Sequence, residues 1–348
     1  METKVLEWKN KEEAVKLLQE GEIVCFPTET VYGMGAISTK KEAFEKLAKI
    51  KRRPPTKPFT LMCSCLADVA RYAEVDVRSI AVMKKYMPGQ ITLLLKARPG
   101  LPEWVTLGTP LIGVRVPDSK ELLDLIDKVG APLLVPSANI SGEPTSTTFE
   151  QTYEVFKSEV PAIIKGECTS MQASTIVNMG GPEISLVREG PIPFAEIKAV
   201  ADQAKMTVSI GCDHGAFFLK ENIVKHLECM GIKVLDEGTF NTFSCDYPEF
   251  ARKAAQDVAN GSAELGIVCC TSGEGVMITA NKVHGIRCGM GYDDDATGKT
   301  RSHNNANMVS FGAKYMKEED VLRRVDIFLS EKFSVEEKHH RRVSQIEC

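Results

Sequence analysis

At 348 residues the chain exceeds the usual size of a single hydrophobic core, which predicts two domains. Hydrophobic residues make up 43% of it and charged residues 26%, an ordinary globular composition, and no apolar run approaches the roughly 18 to 20 residues that a membrane helix needs. The formal charge of the first 205 residues cancels, so the whole net charge of −4 lies after Lys205 and neither half has the basic excess of a dedicated nucleic-acid binder.

In chain order, the N-terminus METKVLEWKNKEEAVKLLQEG has no basic n-region, apolar core or small-residue cleavage site, and this points to the cytoplasm. A helix is expected over 11–20, stopped by Gly21, and then a strand, EIVCFP. After PTETVYGMGA comes a second amphipathic helix at 40–50, the basic loop KIKRRPPTKP and the strand FTLMCS. Strands recur at ITLLLK, LIGVRVP, PLLVPS, STIVNM and ISLVRE, irregularly joined, which argues for a mixed sheet.

From Met206 the pattern changes to regular alternation. Strand 207–211, helix 216–230, strand KVLDEG, helix 248–260, strand LGIVCC, helix 274–281, strand IRCGMG, a helix near 295, strand MVSFGA and helices to the end predict a parallel sheet covered on both faces. Its ligands belong at the carboxyl ends of the strands. The domains are therefore set at 1–204 and 205–348, with no internal repeat relating them. The eleven cysteines are scattered and Cys63-x-Cys65 has no second pair, so neither a zinc site nor a disulfide framework is expected, and no metal-binding set of side chains is identified.

All six histidines follow Met206, so the first half must work without an imidazole. It offers Thr28, Thr30 and Tyr32 in PTETVYGMGA; Lys51, Arg53 and Lys57 in the Pro-stiffened basic loop; and Ser137 and Asn139 at the end of an apolar strand. Fixed cations beside hydroxyl and amide groups suit a polyphosphate, whose transfer chemistry rests on positioning and Mg²⁺. The plainer alternative is a solvated turn and a pair of helix caps.

The runs FPTETVYGMGA, KRR before PPTKPF, GVRVP, SANISG, STIV and LVREG occur in the order of the YrdC/Sua5 family of L-threonylcarbamoyladenylate synthases, which residues 5–200 resemble. The resemblance implies an α/β twist domain with a mixed sheet and a concave positive cavity. It also implies synthesis of threonylcarbamoyl-AMP and pyrophosphate from L-threonine, bicarbonate and ATP with Mg²⁺, for N6-threonylcarbamoylation of adenosine 37 in tRNA. Lys51, Arg53, Ser137 and Asn139 then hold the ATP phosphates. Arg115, Thr28 and Tyr32 belong to the ATP and threonine site, with Lys57 and Arg188 as further cations. Possible partners are tRNA and tRNA-modification proteins.

In the second half, Cys270 ends the apolar strand LGIVCC and is followed by TSGEG, a glycine-rich turn into a helix where backbone N–H groups favour an anion. Cys269 is expected in the core; a free cysteine at either position also serves simply as a small hydrophobe. GCDHGAFFLK, DYPEFA, CTSGEGVMITANKVHGIR, SHNNANMVSFG and KHHRRV match in order the ribose-5-phosphate isomerase B family, which residues 206–345 resemble.

That resemblance implies a Rossmann-like α/β/α sandwich that interconverts aldose and ketose phosphates without a cofactor, in sites built between two subunits of a homodimer. By motif, Cys270 is the proton-transferring base and His303 the ring-opening acid/base. Ser272 with Gly273 and Gly275 forms the anion hole. Asp213, His214, Tyr247, Asn304, Lys338 and Arg342 bind the sugar phosphate. Four departures surround this site: Thr271 where a glycine usually follows the cysteine, Gly215-Ala216 in reversed order, Asn305 where the family's His-Asn-Asp frequently has aspartate, and Lys338 in place of an arginine. Ribose 5-phosphate is the expected substrate, with allose or galactose 6-phosphate as alternatives. A non-catalytic RNA-binding first half and a sugar-phosphate sensor or dimerisation module in the second are the readings from another class.

Overall fold

In the computed structural model residues 2–53 and 58–346 are described. The chain divides into two compact units, one of Met1–Glu74 with Lys85–Val200 and one of Val75–Lys84 with Ala201–Cys348. The second unit thus takes in a short segment, 75–84, that the sequence reading assigns to the first domain.

In the first unit, the described residues form strands β1 (Lys4–Leu6), β2 (Val24–Pro27), β3 (Tyr32–Ile37), β4 (Leu61–Met62), β5 (Ile91–Lys96), β6 (Leu111–Arg115), β7 (Leu133–Leu134), β8 (Ala162–Ile164), β9 (Thr175–Asn178) and β10 (Ser185–Arg188). They make one mixed sheet in the order β1-β8-β2-β3-β7-β4-β6-β5-β9-β10, parallel at β1/β8, β2/β8, β4/β6 and β5/β9 and antiparallel elsewhere. The helix Lys11–Glu20 forms where the apolar spacing puts it, burying Ala14, Val15 and Leu18 and ending at Gly21 in the left-handed conformation with φ +88. It packs against the helix Lys120–Val129, whose buried stripe is Leu122, Leu125, Ile126 and Val129 and whose N-terminus is capped by the Ser119 hydroxyl.

The strand β3 is not expected from the sequence, because glycines at 33 and 35 weaken a strand pattern. Both are there for space. A Cβ on Gly35 would lie 2.5 Å from the Phe26 ring, and one on Gly33 2.6 Å from a Val135 methyl, so the backbone of β3 is the surface on which its neighbours pack.

The second unit holds β11 (Thr207–Cys212), β12 (Lys233–Asp236), β13 (Leu265–Cys270), β14 (Cys288–Met290) and β15 (Met308–Gly312), in the order β12-β11-β13-β15-β14, every pair parallel. Helices Tyr247–Ala259 and Glu274–Ala280 pack together over one face, and Phe217–Cys229 and Asp294–Asn304 flank Glu318–Ser330. The core of the first face is Ala251, Ala254, Ala255, Val268, Val276 and Met308, small side chains that let the helices approach the sheet closely. Strand order reverses between β11 and β13, which makes the crevice at their carboxyl ends the natural ligand site.

Candidate active sites

A cleft of about 890 Å³ opens in the first unit, and its walls include Lys51, Arg53, Arg115, Ser137, Asn139 and Arg188. Lys51 closes the helix Lys41–Lys51, and Arg52 after it takes the left-handed conformation with φ 47, so the chain turns out of the helix between the two cleft cations. The loop after β7 is tied to this turn by Ser141, whose N–H and hydroxyl both donate to the Lys51 carbonyl, at 3.0 and 2.9 Å. The ammonium of Lys51 in turn donates to the Ser137 carbonyl and to Asn139 Oδ1, each at 2.5 Å, and the Ser137 hydroxyl reaches the same Oδ1 at 2.7 Å. Burial, reinforced by neighbouring Arg53, lowers the Lys51 pKa to about 8, so the cleft holds a cation short of counter-charge.

Arg115 is only 6% exposed and is held by Glu29 at 2.6 Å and by the Thr30 hydroxyl at 2.9 Å. Its Nε and Glu29 Oε2 are both buried without a partner, so the pair keeps one donor and one acceptor in reserve. Arg53 stacks over Phe59, 5.0 Å from the ring centre, and Arg188 at the exposed rim donates to the Ser174 carbonyl at 2.8 Å. Two expected binders stand back from the cavity wall. The Tyr32 ring is fully buried, its hydroxyl donating to the Gly166 carbonyl at 2.8 Å and accepting from the Gly166 N–H at 3.0 Å. The Thr28 hydroxyl donates to the Val31 carbonyl at 2.7 Å and shapes the turn into β3. Lys57 lies outside the described residues. Sequence reasoning missed Glu29, although it sits inside PTET, and the hydroxyl pair Thr92 and Ser174, 2.9 Å apart in the cleft wall but 82 residues apart in the chain.

In the second unit Cys270 ends β13, nearly buried at 5% exposure, with Cys269 in the core behind it. The turn that follows needs glycine at 273, where φ is +84, and the Ser310 hydroxyl pins its carbonyl at 2.6 Å. This bends the Gly273 N–H back onto Cys270 Sγ at 3.1 Å, so that this donor serves the sulfur itself. Ser272 Oγ lies 4.0 Å from the sulfur. Register pairs Cys212 of β11 with Cys269, which sets Asp213 beside Cys270 on the neighbouring strand. Asp213 accepts the Gly215 N–H at 2.9 Å, and exposed His214 accepts the Cys245 N–H at 3.3 Å through Nδ1. Tyr247 lies over Gly275, where a Cβ would come 2.7 Å from its ring.

His303, Asn304, Lys338 and Arg342 are elsewhere. The helix Asp294–Asn304 runs back from the carboxyl edge of the sheet, and its 11 residues carry the chain about 16 Å. Its end is fixed at the opposite edge, where Arg287, which precedes β14, donates to the Asn304 carbonyl at 3.2 Å and to the Asn305 carbonyl at 3.1 Å. There His303 stacks on buried His339, ring centres 4.1 Å apart, and burial followed by repulsion from His339 lowers the His303 pKa. Lys338 pairs with Glu336 at 2.6 Å, and Asn304 and Arg342 are exposed. One copy of the chain thus carries the two halves of the expected isomerase constellation at opposite edges of one sheet.

Among the described residues no helix is long and apolar enough to cross a membrane, and no group of three or more His, Cys, Asp or Glu side chains is placed to hold a metal ion.

Residues 16–190 match the Sua5/YciO/YrdC family model, described as telomere recombination, and residues 208–346 match the LacAB/RpiB model, described as ribose/galactose isomerase. The Bacillus subtilis threonylcarbamoyl-AMP synthase is 34% identical over 54% of this chain and 55% of its own, so the chain spans little more than half the length of that relative. Ribose-5-phosphate isomerase B of Escherichia coli is 36% identical over 40% of this chain and 93% of its own, and galactose-6-phosphate isomerase subunit LacB of Clostridium acetobutylicum 35% over 37% and 74%. Among solved structures, Escherichia coli YciO aligns with a TM-score of 0.52 at 26% identity, covering 55% of this chain and 97% of that one.

Proposed function

Because the first half of the chain belongs to the Sua5/YciO/YrdC family and the second to the LacAB/RpiB family, we propose that it joins two enzymes, a threonylcarbamoyl-AMP synthase and an aldose–ketose isomerase for a sugar phosphate. What supports the first is the gathering of Lys51, Arg53, Ser137 and Asn139 into one cleft from segments some 86 residues apart. Cations, hydroxyls and an amide suit the phosphate oxygens of ATP, which brings its magnesium as part of the substrate. The threonine amine adds to bicarbonate with loss of water. The resulting carbamate oxygen attacks the α-phosphorus, and pyrophosphate leaves with the electron pair of the broken P–O bond. Lys51 and Arg53 offset the charge on that leaving group, while Arg115, steadied by Glu29, is the cation for a carboxylate. The product passes to a tRNA-modifying partner. Pyrophosphate release that needs threonine and bicarbonate together is expected; release that ignores both overturns this reading.

For the second half, Cys270 as a thiolate takes the proton from C2 of the open-chain aldose while O1 gains a proton, and the Ser272 hydroxyl supports the enediolate oxygen. Cys270 then returns its proton to C1 as the O2 hydroxyl gives up its own and becomes the ketone, so that one proton has moved from C2 to C1 and one from O2 to O1. His303 opens the ring and Lys338 and Arg342 hold the phosphate from a second copy of the chain. The observation in favour of two copies is that Cys270 and His303 stand at opposite sheet edges. Exposed Phe218, Phe240, Phe243, Tyr292 and Tyr315, which follow the carboxyl ends of β11, β12, β14 and β15, offer that copy an apolar surface. Ribose 5-phosphate is the sugar we favour, since 93% of the ribose-5-phosphate isomerase B chain is covered against 74% of LacB. Mixing inactive Cys270→Ala with inactive His303→Ala chains should restore about a quarter of the activity, because half of randomly paired dimers then hold one complete site of two. No recovery on mixing overturns the shared site.

A further inference from the structure

Thr271 and Gly215 are both exposed at the mouth of the Cys270 site, and they meet. A Cβ on residue 215 would lie 2.2 Å from Thr271 Oγ1 and 3.3 Å from Asp213 Oδ1, far inside van der Waals contact with the first. Gly215 is not among the glycines with positive φ, so its backbone does not require glycine. The missing side chain is a matter of space, and the Thr271 hydroxyl occupies that space. The same built atom lies 3.3 Å from Asp213 Oδ1, the oxygen that accepts the Gly215 N–H, so the threonine hydroxyl and the carboxylate border one small space. No hydrogen bond of the described residues uses the Thr271 hydroxyl, and Asp213 spends one oxygen on the Gly215 N–H, leaving the other open.

On the isomerase reading given above, we infer that Thr271 is a specificity-determining residue: its hydroxyl and the Asp213 carboxylate together grip one hydroxyl of the sugar phosphate, and Gly215 exists to let it. A sugar hydroxyl donates its one hydrogen to the carboxylate and accepts from the threonine hydroxyl, so the pair reads the position of one oxygen relative to Cys270. The two positions are coupled. Anything larger than glycine at 215 drives the threonine into another rotamer and removes its hydroxyl from the pair, while its Cβ, 3.5 Å from the added atom, stays in ordinary contact.

The experiment is a set of variants of the full chain, Thr271→Val, Thr271→Ser, Thr271→Gly, Gly215→Ala and the double variant Gly215→Ala/Thr271→Gly, assayed with ribose 5-phosphate, allose 6-phosphate and galactose 6-phosphate. Thr271→Val, which keeps the branched shape, is expected to lower kcat/KM about tenfold for the preferred sugar and less for the others, narrowing selectivity, and Thr271→Ser to recover most of the loss. Gly215→Ala is expected to cost a similar factor when Thr271 is present and nothing further when residue 271 is glycine. Unchanged selectivity in Thr271→Val, or a Gly215→Ala effect that is the same in both backgrounds, overturns the inference. Calorimetric titration of the same sugars into Cys270→Ala chains separates this from the isomerase reading. Weaker binding with Thr271→Val there upholds the grip even if the wild-type protein turns over none of the three sugars; equal binding refutes it.

Discussion

If the first unit takes ATP as proposed, the buried Lys51 should make that binding a proton-linked event. Its pKa of about 8, against 10.5 for a free lysine, corresponds to roughly 3 kcal/mol by which burial and, to a lesser extent, the neighbouring Arg53 disfavour the charged form. A polyphosphate beside the ammonium supplies the missing counter-charge and raises that pKa again. The sign follows: binding takes up a proton wherever Lys51 is neutral in the free protein and charged in the complex, that is, between about pH 8 and the raised value. Uptake should be close to zero at pH 6.5, about half a proton at pH 8 and near one at pH 9, with affinity falling up to tenfold per pH step above 8. Isothermal titration of the full chain with magnesium–ATP in buffers of different ionisation enthalpy measures the proton number directly. Lys51→Met should abolish the uptake and bind more weakly at pH 7. A proton number near zero at pH 9, or one that persists in Lys51→Met, refutes the placement of the phosphates beside this side chain.

Glu29→Ala leaves Arg115 buried without its counter-charge, and urea denaturation should show a loss of about 3 to 5 kcal/mol, most of it regained in Glu29→Ala/Arg115→Met. Equal stability of Glu29→Ala and wild type would mean that Arg115 finds another partner. Cys270→Ala should reduce isomerisation by about 10²- to 10⁴-fold and leave threonine-dependent pyrophosphate release alone, since the two chemistries use different units. His339→Phe keeps a ring stacked on His303 but removes the repulsion from His339, leaving Lys299, Lys338 and Glu336 around it. The imidazole C2–H resonance of His303 should then titrate at higher pH, with burial, the larger cause, still holding it below the ordinary histidine value. No movement would assign the effect to burial and the remaining cations, Lys299 and Lys338, rather than to His339.

The second half was the more legible of the two because parallel strands buried on both faces read as apolar runs: LGIVCC is β13 residue for residue, and the helix boundaries fall within a residue or two of the pattern. In the first half β4 shrinks to Leu61–Met62 within FTLMCS, and β3 hides behind Gly33 and Gly35, whose reason is the ring of Phe26 and the methyl of Val135 across the sheet. No local pattern carries that information. Likewise the motifs delivered Lys51, Ser137 and Asn139 to one place, but in the same motif the Tyr32 hydroxyl is spent on the Gly166 backbone and Thr28 builds the turn into β3, since a buried hydroxyl must find a partner and backbone groups were nearest. Thr92 and Ser174 escaped notice because lone hydroxyls in strands have no signature until the sheet pairs them. The resemblance implies a site shared between two subunits, but the motifs themselves list residues in order and say nothing about which end of the helix Asp294–Asn304 faces which edge, so they do not say which residues a second copy must bring.

The helix Asp294–Asn304 therefore imposes a law on how the second activity scales. If each site borrows its ring-opening histidine from another molecule, turnover per chain is not constant but falls on dilution. At concentrations well below the dimer dissociation constant the total rate rises as the square of the amount of protein, while pyrophosphate release by the first unit stays linear. The ratio of the two rates in one sample would then report, without any label, how much of the protein is paired.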